Sequence, residues 1–160
     1  MYPVHVTTLE PQPMLLMPWT GPYASISDGF RRLEELLAAA QLRVPEVEAI
    51  VGFYLDDPEV TAPEAQRADL GVLMEDVIAA PEGMRAGEMS PGRYAVLTHK
   101  GGFDSLMEAW CWLYEDWLPG SGEVLDDGRL PFELYADSFE PGVQPDAAEI
   151  LICVPVRPRD

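Results

Sequence analysis

Thr20-Gly21-Pro22-Tyr23-Ala24-Ser25-Ile26 is the stretch that decides the fold, because it returns 80 residues later as Lys100-Gly101-Gly102-Phe103-Asp104-Ser105-Leu106. Three further matches lie upstream and downstream of this stretch: residues 9–17 with 89–97, 53–57 with 134–138, and 70–74 with 150–154. An internal repeat of about half the chain predicts two similar modules related by a pseudo-twofold axis. A ligand cleft is expected at the seam between such modules. Functional residues are therefore expected where the repeats differ.

Both repeats predict the element order strand, strand, helix, strand, strand. The strands are inferred from short apolar or alternating runs bounded by Pro and Gly: residues 4–9, 14–19, 49–55, 70–74, 84–89, 93–98, 130–136 and 149–156. The first helix is expected to begin at Ser25 or Ser27. The second carries an apolar stripe that ends before Pro119: Phe103, Leu106, Met107, Trp110, Leu113, Tyr114 and Trp117.

The linker between the repeats, at residues 79–83, is too short to separate two independent domains. Module 1 is expected at about residues 1–80 and module 2 at about residues 81–160, packed together as one domain. The predicted fold class is α+β, with two pseudo-symmetric ββαββ modules, antiparallel sheets and a central cleft.

The charge balance excludes several classes of function. The chain has 160 residues, with 10 Lys and Arg against 28 Asp and Glu, which gives a formal net charge of −18. Such a surface repels nucleic-acid phosphates, so no direct nucleic-acid binding is expected. Three interpretations stay open: solubility, attraction of cationic ligands, and mimicry of an acidic surface such as DNA. The single lysine, Lys100, gives no indication of Schiff-base or Walker-type chemistry.

Localisation and redox chemistry follow from what the sequence lacks and from its two cysteines. The N-terminus has no charged region followed by an apolar one, and no apolar run is long enough to cross a membrane. We therefore expect a cytoplasmic protein. Cys111 and Cys153 share no short motif, which favours buried free thiols and leaves one disulfide as the alternative.

Several stretches together resemble one family. Residues 92–101, the helix through Trp110 that ends at Pro119, residues 131–135 and residues 21–26 are similar to the GyrI-like small-molecule-binding domain. This domain is the effector module of many AraC-type regulators, and it also occurs alone. The resemblance implies a duplicated SHS2 module, a cleft lined by aromatic residues, and a carboxylate on a strand of the second module. It also implies lipophilic, often cationic, ligands. The chain departs from the AraC-type regulators because it carries no DNA-binding segment.

Glu133 is the principal candidate functional residue. It lies in an apolar strand between Phe132 and Leu134, so alternation places it on one face with Tyr135. Its repeat partner is Gly52, whereas Tyr135 is matched by Tyr54. A glutamate in an aromatic cleft can pair with a ligand cation, or act as a general acid or base. A solvated side chain on an open sheet face is the alternative.

Aromatic side chains supply the other candidate ligand contacts. Trp110 and Trp117 are seven residues apart and share a helix face, which favours core packing, with ligand contact as the alternative for both. Trp112 points elsewhere and is a candidate for an interface. Four further candidates occupy matching positions in the two repeats and can either pack or line a cleft: Tyr23 with Phe103, and Trp19 with His99.

Metal or cofactor chemistry is not indicated. His5 and His99 are the only histidines, and no grouping of Cys, His and carboxylates has zinc spacing. His99 is interpreted as a strand-end residue, with a catalytic base as the alternative. No cofactor and no metal are expected.

The leading hypothesis is a stand-alone protein that binds a small lipophilic or cationic compound between its modules, for sensing or sequestration. The expected ligand contacts are the following: Glu133, Tyr135, Tyr54, Trp110, Tyr23, Phe103, Trp19 and His99. The second hypothesis, implied by the family, is a hydrolase of electrophilic cyclopropane-type natural products that uses Glu133 with Tyr54 or Tyr135. The third is a gyrase-inhibitor-like regulator, whose partner is gyrase or a DNA-binding regulator. No membrane partner is expected.

Overall fold

The computed structural model describes residues 2–42, 47–101, 105–135 and 149–160. Its strands are β1 (Val4–Leu9), β2 (Gln12–Thr20), β3 (Val47–Tyr54), β4 (Arg67–Met74), β5 (Arg85–Met89), β6 (Gly92–Lys100), β7 (Glu123–Leu125), β8 (Phe132–Tyr135) and β9 (Glu149–Pro158). Its helices are α1 (Ile26–Ala39) and α2 (Leu106–Trp112), and a π-helical turn (Leu113–Trp117) continues α2. The predicted α+β class with antiparallel strands is confirmed. Strand β7 was not predicted.

The chain forms two compact units with the same strand order. The C-terminal unit combines Met1–Glu10 with Ser90–Asp160, and the N-terminal unit is Pro11–Met89. In the C-terminal unit the strands lie in the order β1-β6-β9-β8, with β7 paired to the end of β9. In the N-terminal unit the order is β5-β2-β4-β3. These orders correspond strand for strand under the sequence repeat.

Each repeat contributes its first strand to the unit that the other repeat mostly builds. Strand β1 pairs with β6, and β5 pairs with β2, so the compact units do not coincide with the halves of the sequence. Only Glu10 and Pro11 separate β1 from β2. A two-residue hairpin needs a positive φ angle in its turn, and neither residue has one. The two strands therefore continue into separate pairings instead of folding back on each other.

Strand register identifies the equivalent positions of the two repeats. Gly52 pairs with Leu70, which pairs with Met17. Glu133 pairs with Ile152, which pairs with Leu97, the repeat partner of Met17. Gly52 and Glu133 are thus equivalent, as the sequence indicates. Leu70 is therefore equivalent to Ile152, and the expected match of Leu70 with Ile150 is wrong. The connection between β8 and β9 has one more residue than the connection between β3 and β4, which shifts the match.

Helix α1 packs closely on strand β4. Gly29, Leu33 and Leu37 form its buried face. A Cβ atom on Gly29 would lie 2.7 Å from Cδ1 of Leu70, so glycine permits this close approach. The N-terminal unit therefore has its helix fixed directly against the strand that pairs with β3.

The second helix differs from its sequence pattern in two ways. Its α-helical hydrogen bonding ends at Trp112 and continues as the π-helical turn, where the prediction was one regular helix. Met107 is 58% exposed, so its assignment to the apolar stripe is wrong, whereas Leu106, Ala109 and Leu113 are buried. A π-turn has more residues per turn than an α-helix and rotates every later side chain around the axis.

The cysteines are both free. Cys153 is buried on β9, as predicted, and burial raises its pKa to about 12. Cys111 lies on the exposed side of α2, so the prediction of burial is wrong for this residue.

Candidate functional site

The carboxylate of Glu133 is buried on strand β8. Glu133 is only 1% exposed, so the alternative of a solvated side chain on an open sheet face is wrong. Tyr135, two residues along the strand and 3% exposed, donates its hydroxyl hydrogen to Oε1 of Glu133 across 2.7 Å. The alternation of the strand thus places both polar groups on one face, as the sequence predicts.

Helix α2 supplies a second donor to the same carboxylate. Nε1 of Trp110 donates to Oε2 of Glu133 at 3.1 Å. Trp110 is half-buried and stacks on Tyr114, with ring centroids 5.9 Å apart and planes 16° from parallel. Burial raises the pKa of the Tyr114 hydroxyl. We call Glu133, Tyr135, Trp110 and Tyr114 the Glu133 cluster.

The geometry of the Glu133 cluster fixes the orientation of a carboxyl group among aromatic rings. The tyrosine and the indole bind different carboxylate oxygens, so the carboxylate plane cannot rotate without breaking a hydrogen bond. A buried carboxylate is tolerated only when it is hydrogen-bonded or paired. Chemically, the cluster can attract a cation, or exchange a proton between Glu133 and Tyr135.

His99 also lies in the C-terminal unit, in a packed environment. It is 1% exposed at the end of β6, and its Nε2 atom is 3.1 Å from Oγ of Ser105. The ring of Tyr2 lies 5.9 Å from His99 and contacts Trp112 edge-on at 5.3 Å. Trp112, a candidate for an interface, therefore packs within its own unit.

The N-terminal unit holds three other predicted ligand residues. Tyr23 contacts Tyr54 edge-to-face, with ring centroids 5.1 Å apart. The Tyr23 hydroxyl donates to the Arg67 carbonyl at 2.5 Å and accepts from the Asp56 amide at 3.1 Å. Burial raises the pKa of Tyr23. Trp19 lies against Gly29 of α1, where a Cβ atom would be 3.1 Å from its ring.

The structure brings several of the predicted residues into contact. Glu133, Tyr135 and Trp110 form one group, and Tyr23 with Tyr54 form another. Phe103 lies outside the described residues. Tyr114 is not among the site residues that the sequence predicts. Its signal is the spacing of four from Trp110, which places two aromatic side chains beside each other on a helix.

Neither a metal site nor a membrane-spanning helix occurs among the described residues. No group of three or more His, Cys, Asp and Glu side chains in the described ranges is arranged to hold a metal ion. No helix in the described part of the chain combines the length and apolar character needed to span a bilayer.

Residues 2–157 match the family described as the GyrI-like small molecule binding domain. The chain belongs to this family. Its relatives include the "Probable transcriptional regulator YgiV" of Escherichia coli (strain K12), 34% identical over 106 residues, which are 66% of this chain and 65% of the relative. A "DNA gyrase inhibitor" of Edwardsiella ictaluri (strain 93-146) is 30% identical over 137 residues, 82% of this chain and 85% of that protein. The GyrI-like chain thus aligns with less than two thirds of the length of YgiV.

Solved structures share the GyrI-like fold at low sequence identity. The C-terminal domain of EcmrR aligns with a TM-score of 0.77 at 15% identity, covering 99% of both chains. SAV2435 bound to tetraphenylphosphonium aligns with a TM-score of 0.65 at 13% identity, covering 97% of this chain and 94% of that one. A hydrolase from Listeria innocua aligns with a TM-score of 0.64 at 13% identity, covering 96% and 91%.

Proposed function

We propose that this GyrI-like protein binds lipophilic cations at the Glu133 cluster. The observation that carries the proposal is a carboxylate, 1% exposed, that is held in a fixed orientation by one phenol and one indole donor. A cation brought to this carboxylate replaces part of the solvation that burial removes from the charge.

Aromatic faces also attract cations. The stacked rings of Trp110 and Tyr114 present π systems beside the carboxylate, and tryptophan is the strongest cation–π partner among the side chains. A cation with aromatic or alkyl groups can satisfy both features, since its charge meets Glu133 and its apolar groups meet the rings. Strongly hydrated small ions gain less, because they must lose water to enter an apolar environment.

The net charge of −18 supports the same ligand class at longer range. An acidic surface raises the local concentration of cations and speeds their association, in a way that salt reduces. The family description, a small-molecule binding domain, and the tetraphenylphosphonium carried by SAV2435 are consistent with this chemistry. In a cell such binding serves either to sense a toxic compound or to sequester it.

The proposal is tested by titrating the protein with tetraphenylphosphonium and following tryptophan fluorescence and heat release. Glu133→Gln should weaken binding by about tenfold or more, because a buried charge pair contributes more than about 1.4 kcal/mol. Glu123→Gln is the matched control, since Glu123 is also a buried glutamate of the C-terminal unit but pairs with Arg93. Triphenylphosphine oxide, which is neutral, should bind more weakly than the cation. Equal affinity of Glu133→Gln and the unaltered protein would contradict the proposal.

Hydrolysis at the same cluster is a second candidate function. The hydrogen bond from Tyr135 to Glu133 pairs a potential acid with a potential base at 2.7 Å. For an electrophilic cyclopropane, Glu133 would take a proton from water as the water oxygen bonds to a ring carbon. The C–C bond of the cyclopropane ring breaks, and its electron pair passes to an oxygen atom of the substrate. Tyr135 gives its hydroxyl proton to that oxygen. Turnover of such a substrate that both Glu133→Gln and Tyr135→Phe abolish would support this reaction.

Regulation of a protein partner is a third candidate, favoured by the strong negative charge and by the relative named DNA gyrase inhibitor. Its partner would be gyrase or a DNA-binding regulator, and acidic side chains would supply the contact. Gyrase retained by the immobilised protein, and released by neutralising acidic surface residues but not by Glu133→Gln, would separate this function from ligand binding.

A further inference from the structure

We infer that Arg129 is a positioning residue for Glu133, an inference that rests on the proposed cation-binding function. Arg129 does not belong to the Glu133 cluster, and it precedes Glu133 by four residues, just before strand β8. Its side chain ties the turn that leads into β8 to the framework of the C-terminal unit, and so determines where the carboxylate lies.

The first part of this connection is the turn itself. Asp126 accepts a hydrogen bond from the Gly128 amide through Oδ1 at 3.0 Å and from Nε of Arg129 through Oδ2 at 3.0 Å. The Asp126 amide in turn donates to the Pro155 carbonyl on β9. The turn between β7 and β8 is thus closed by a side chain at its first position and fixed to the neighbouring strand.

The second part is the guanidinium, which binds backbone groups of two strands. Nη2 of Arg129 donates to the Arg93 carbonyl at 2.9 Å and to the Val156 carbonyl at 3.4 Å, and Nη1 donates to the Pro91 carbonyl at 3.3 Å. These bonds reach the start of β6 and the end of β9. The side chain of Arg129 is only 15% exposed, which reduces competition from water.

The third part reaches β8 through two aromatic rings. The guanidinium carbon of Arg129 lies 4.7 Å from the ring centroid of Tyr94. Tyr94 contacts Phe132 edge-to-face at 5.5 Å, and both are 1% exposed. Phe132 immediately precedes Glu133 and projects from the opposite face of β8. Phe132 is therefore held on one face while the carboxylate meets its donors on the other.

The repeat indicates that this arrangement accompanies the carboxylate. In the N-terminal unit the positions of Tyr94, Phe132 and Glu133 are occupied by Met14, Val51 and Gly52. The unit without the glutamate therefore also lacks the aromatic ring on which the arginine lies and the phenylalanine beside it. Several carbonyls and a carboxylate must be bound at once, which suits the planar fork of arginine and not the single ammonium of lysine.

The test uses the indole hydrogen of Trp110 as a reporter of where Glu133 lies. In a ¹H–¹⁵N spectrum of the unliganded protein, the Trp110 Nε1–H resonance is assigned by its loss in Trp110→Phe. Glu133→Gln should move this resonance, because the charged acceptor is replaced by a neutral one. Arg129→Lys should move it in the same direction and weaken tetraphenylphosphonium binding by about tenfold, or about 1.4 kcal/mol.

Arg67→Lys is the control, since Arg67 binds the Asp56 carboxylate through Nε and Nη2 but does so in the N-terminal unit. It should lower the melting temperature without moving the Trp110 resonance or the affinity. Asp126→Asn is a milder second variant in case Arg129→Lys does not fold, and it should act in the same direction with a smaller amplitude.

An unmoved Trp110 resonance in folded Arg129→Lys and Asp126→Asn proteins would overturn the positioning role, whatever their melting temperatures. A resonance that moves while the unaltered protein fails to bind tetraphenylphosphonium would contradict the proposed function and leave the positioning role supported. Since the resonance is measured without ligand, the two outcomes are distinguishable.

Discussion

Glu133 and Gly52 occupy equivalent positions in two units of the same strand order, one carrying a carboxylate and the other no side chain at all. Glu133 pairs with Ile152 as Gly52 pairs with Leu70. Their surroundings differ accordingly, because Trp110, which donates to Glu133, has Phe30 as its repeat partner. The duplicated fold thus supplies the same strand positions twice, with a tyrosine two residues further along in both units, and only one unit adds the indole donor to the carboxylate.

Gly52→Glu is predicted to destabilise the protein without creating a second ligand site. Gly52 is buried, and the equivalent of the Trp110 indole in that unit is a phenylalanine with no hydrogen-bond donor. A buried charge without adequate partners costs about 3–5 kcal/mol. Urea unfolding should show a loss of this size, and calorimetry should show no increase in ligand stoichiometry.

Gly52→Ala is the control for backbone and packing changes, and it should cost less than the glutamate. A stable Gly52→Glu protein that binds two molecules of tetraphenylphosphonium would contradict the argument that the donors, and not only the carboxylate, define the site.

Thiol labelling is predicted to distinguish the two cysteines. Cys111 is exposed on α2, whereas Cys153 is buried and has its pKa raised to about 12, so it holds almost no thiolate at neutral pH. A thiol reagent should modify one cysteine per native chain and two after denaturation. Cys111→Ser should abolish native labelling, and continued labelling of that variant would show that β9 opens under native conditions.

Much of this fold follows from local sequence patterns. Apolar runs between Pro and Gly locate β1, β2, β6 and β9 to within a few residues, because a strand half-buried in a sheet needs such a run. The equivalence of Gly52 and Glu133 also follows, since the repeat is nearly free of insertions up to that point. The strand positions depend on residues that are close together in the chain, and the equivalence depends on comparing the two repeats.

The features that could not be predicted depend on partners far apart in the chain. The alternation of β1 shows that it is a strand but not that it pairs with β6, about 90 residues further along the chain. The residues between β1 and β2, Glu10 and Pro11, exclude a hairpin of these two strands but do not show where either strand pairs. The spacing of apolar residues does not predict the π-helical turn that begins at Leu113. The hydrogen bond from Trp110 to Glu133 requires that helix and strand be placed first.

Acid is predicted to destabilise the C-terminal unit through Glu123. The Arg93 guanidinium, which binds both carboxylate oxygens, holds the pKa of Glu123 below its ordinary value of 4.5. A carboxylate whose pKa is lower in the folded protein stabilises it fully above the unfolded value, and this contribution disappears as the pH falls through the lowered pKa. The free energy of unfolding should therefore fall as the pH is lowered below about 4.5.

The Glu123→Gln variant isolates this contribution. It should be less stable than the unaltered protein at pH 7, and the difference between the two should shrink as the pH falls from 5 toward 2. A stability difference that stays constant over this pH range would show that the ion pair between Arg93 and Glu123 does not account for the loss of stability in acid.

Trp110→Phe is predicted to separate the two roles of the indole, as a donor to Glu133 and as a ring stacked on Tyr114. The substitution removes the Nε1–H group and keeps an aromatic ring, so the stack with Tyr114 is largely retained while Oε2 of Glu133 loses a donor. Loss of a hydrogen bond to a buried charged group costs about 1–3 kcal/mol, which chemical denaturation can resolve.

Trp112→Phe is the control for this prediction. The Trp112 indole lies against Tyr2, so its replacement should leave cation affinity unchanged. If the donor fixes the carboxylate, Trp110→Phe weakens tetraphenylphosphonium binding even though an aromatic face remains. If instead only the ring matters, affinity is preserved, and the orientation of Glu133 does not limit binding.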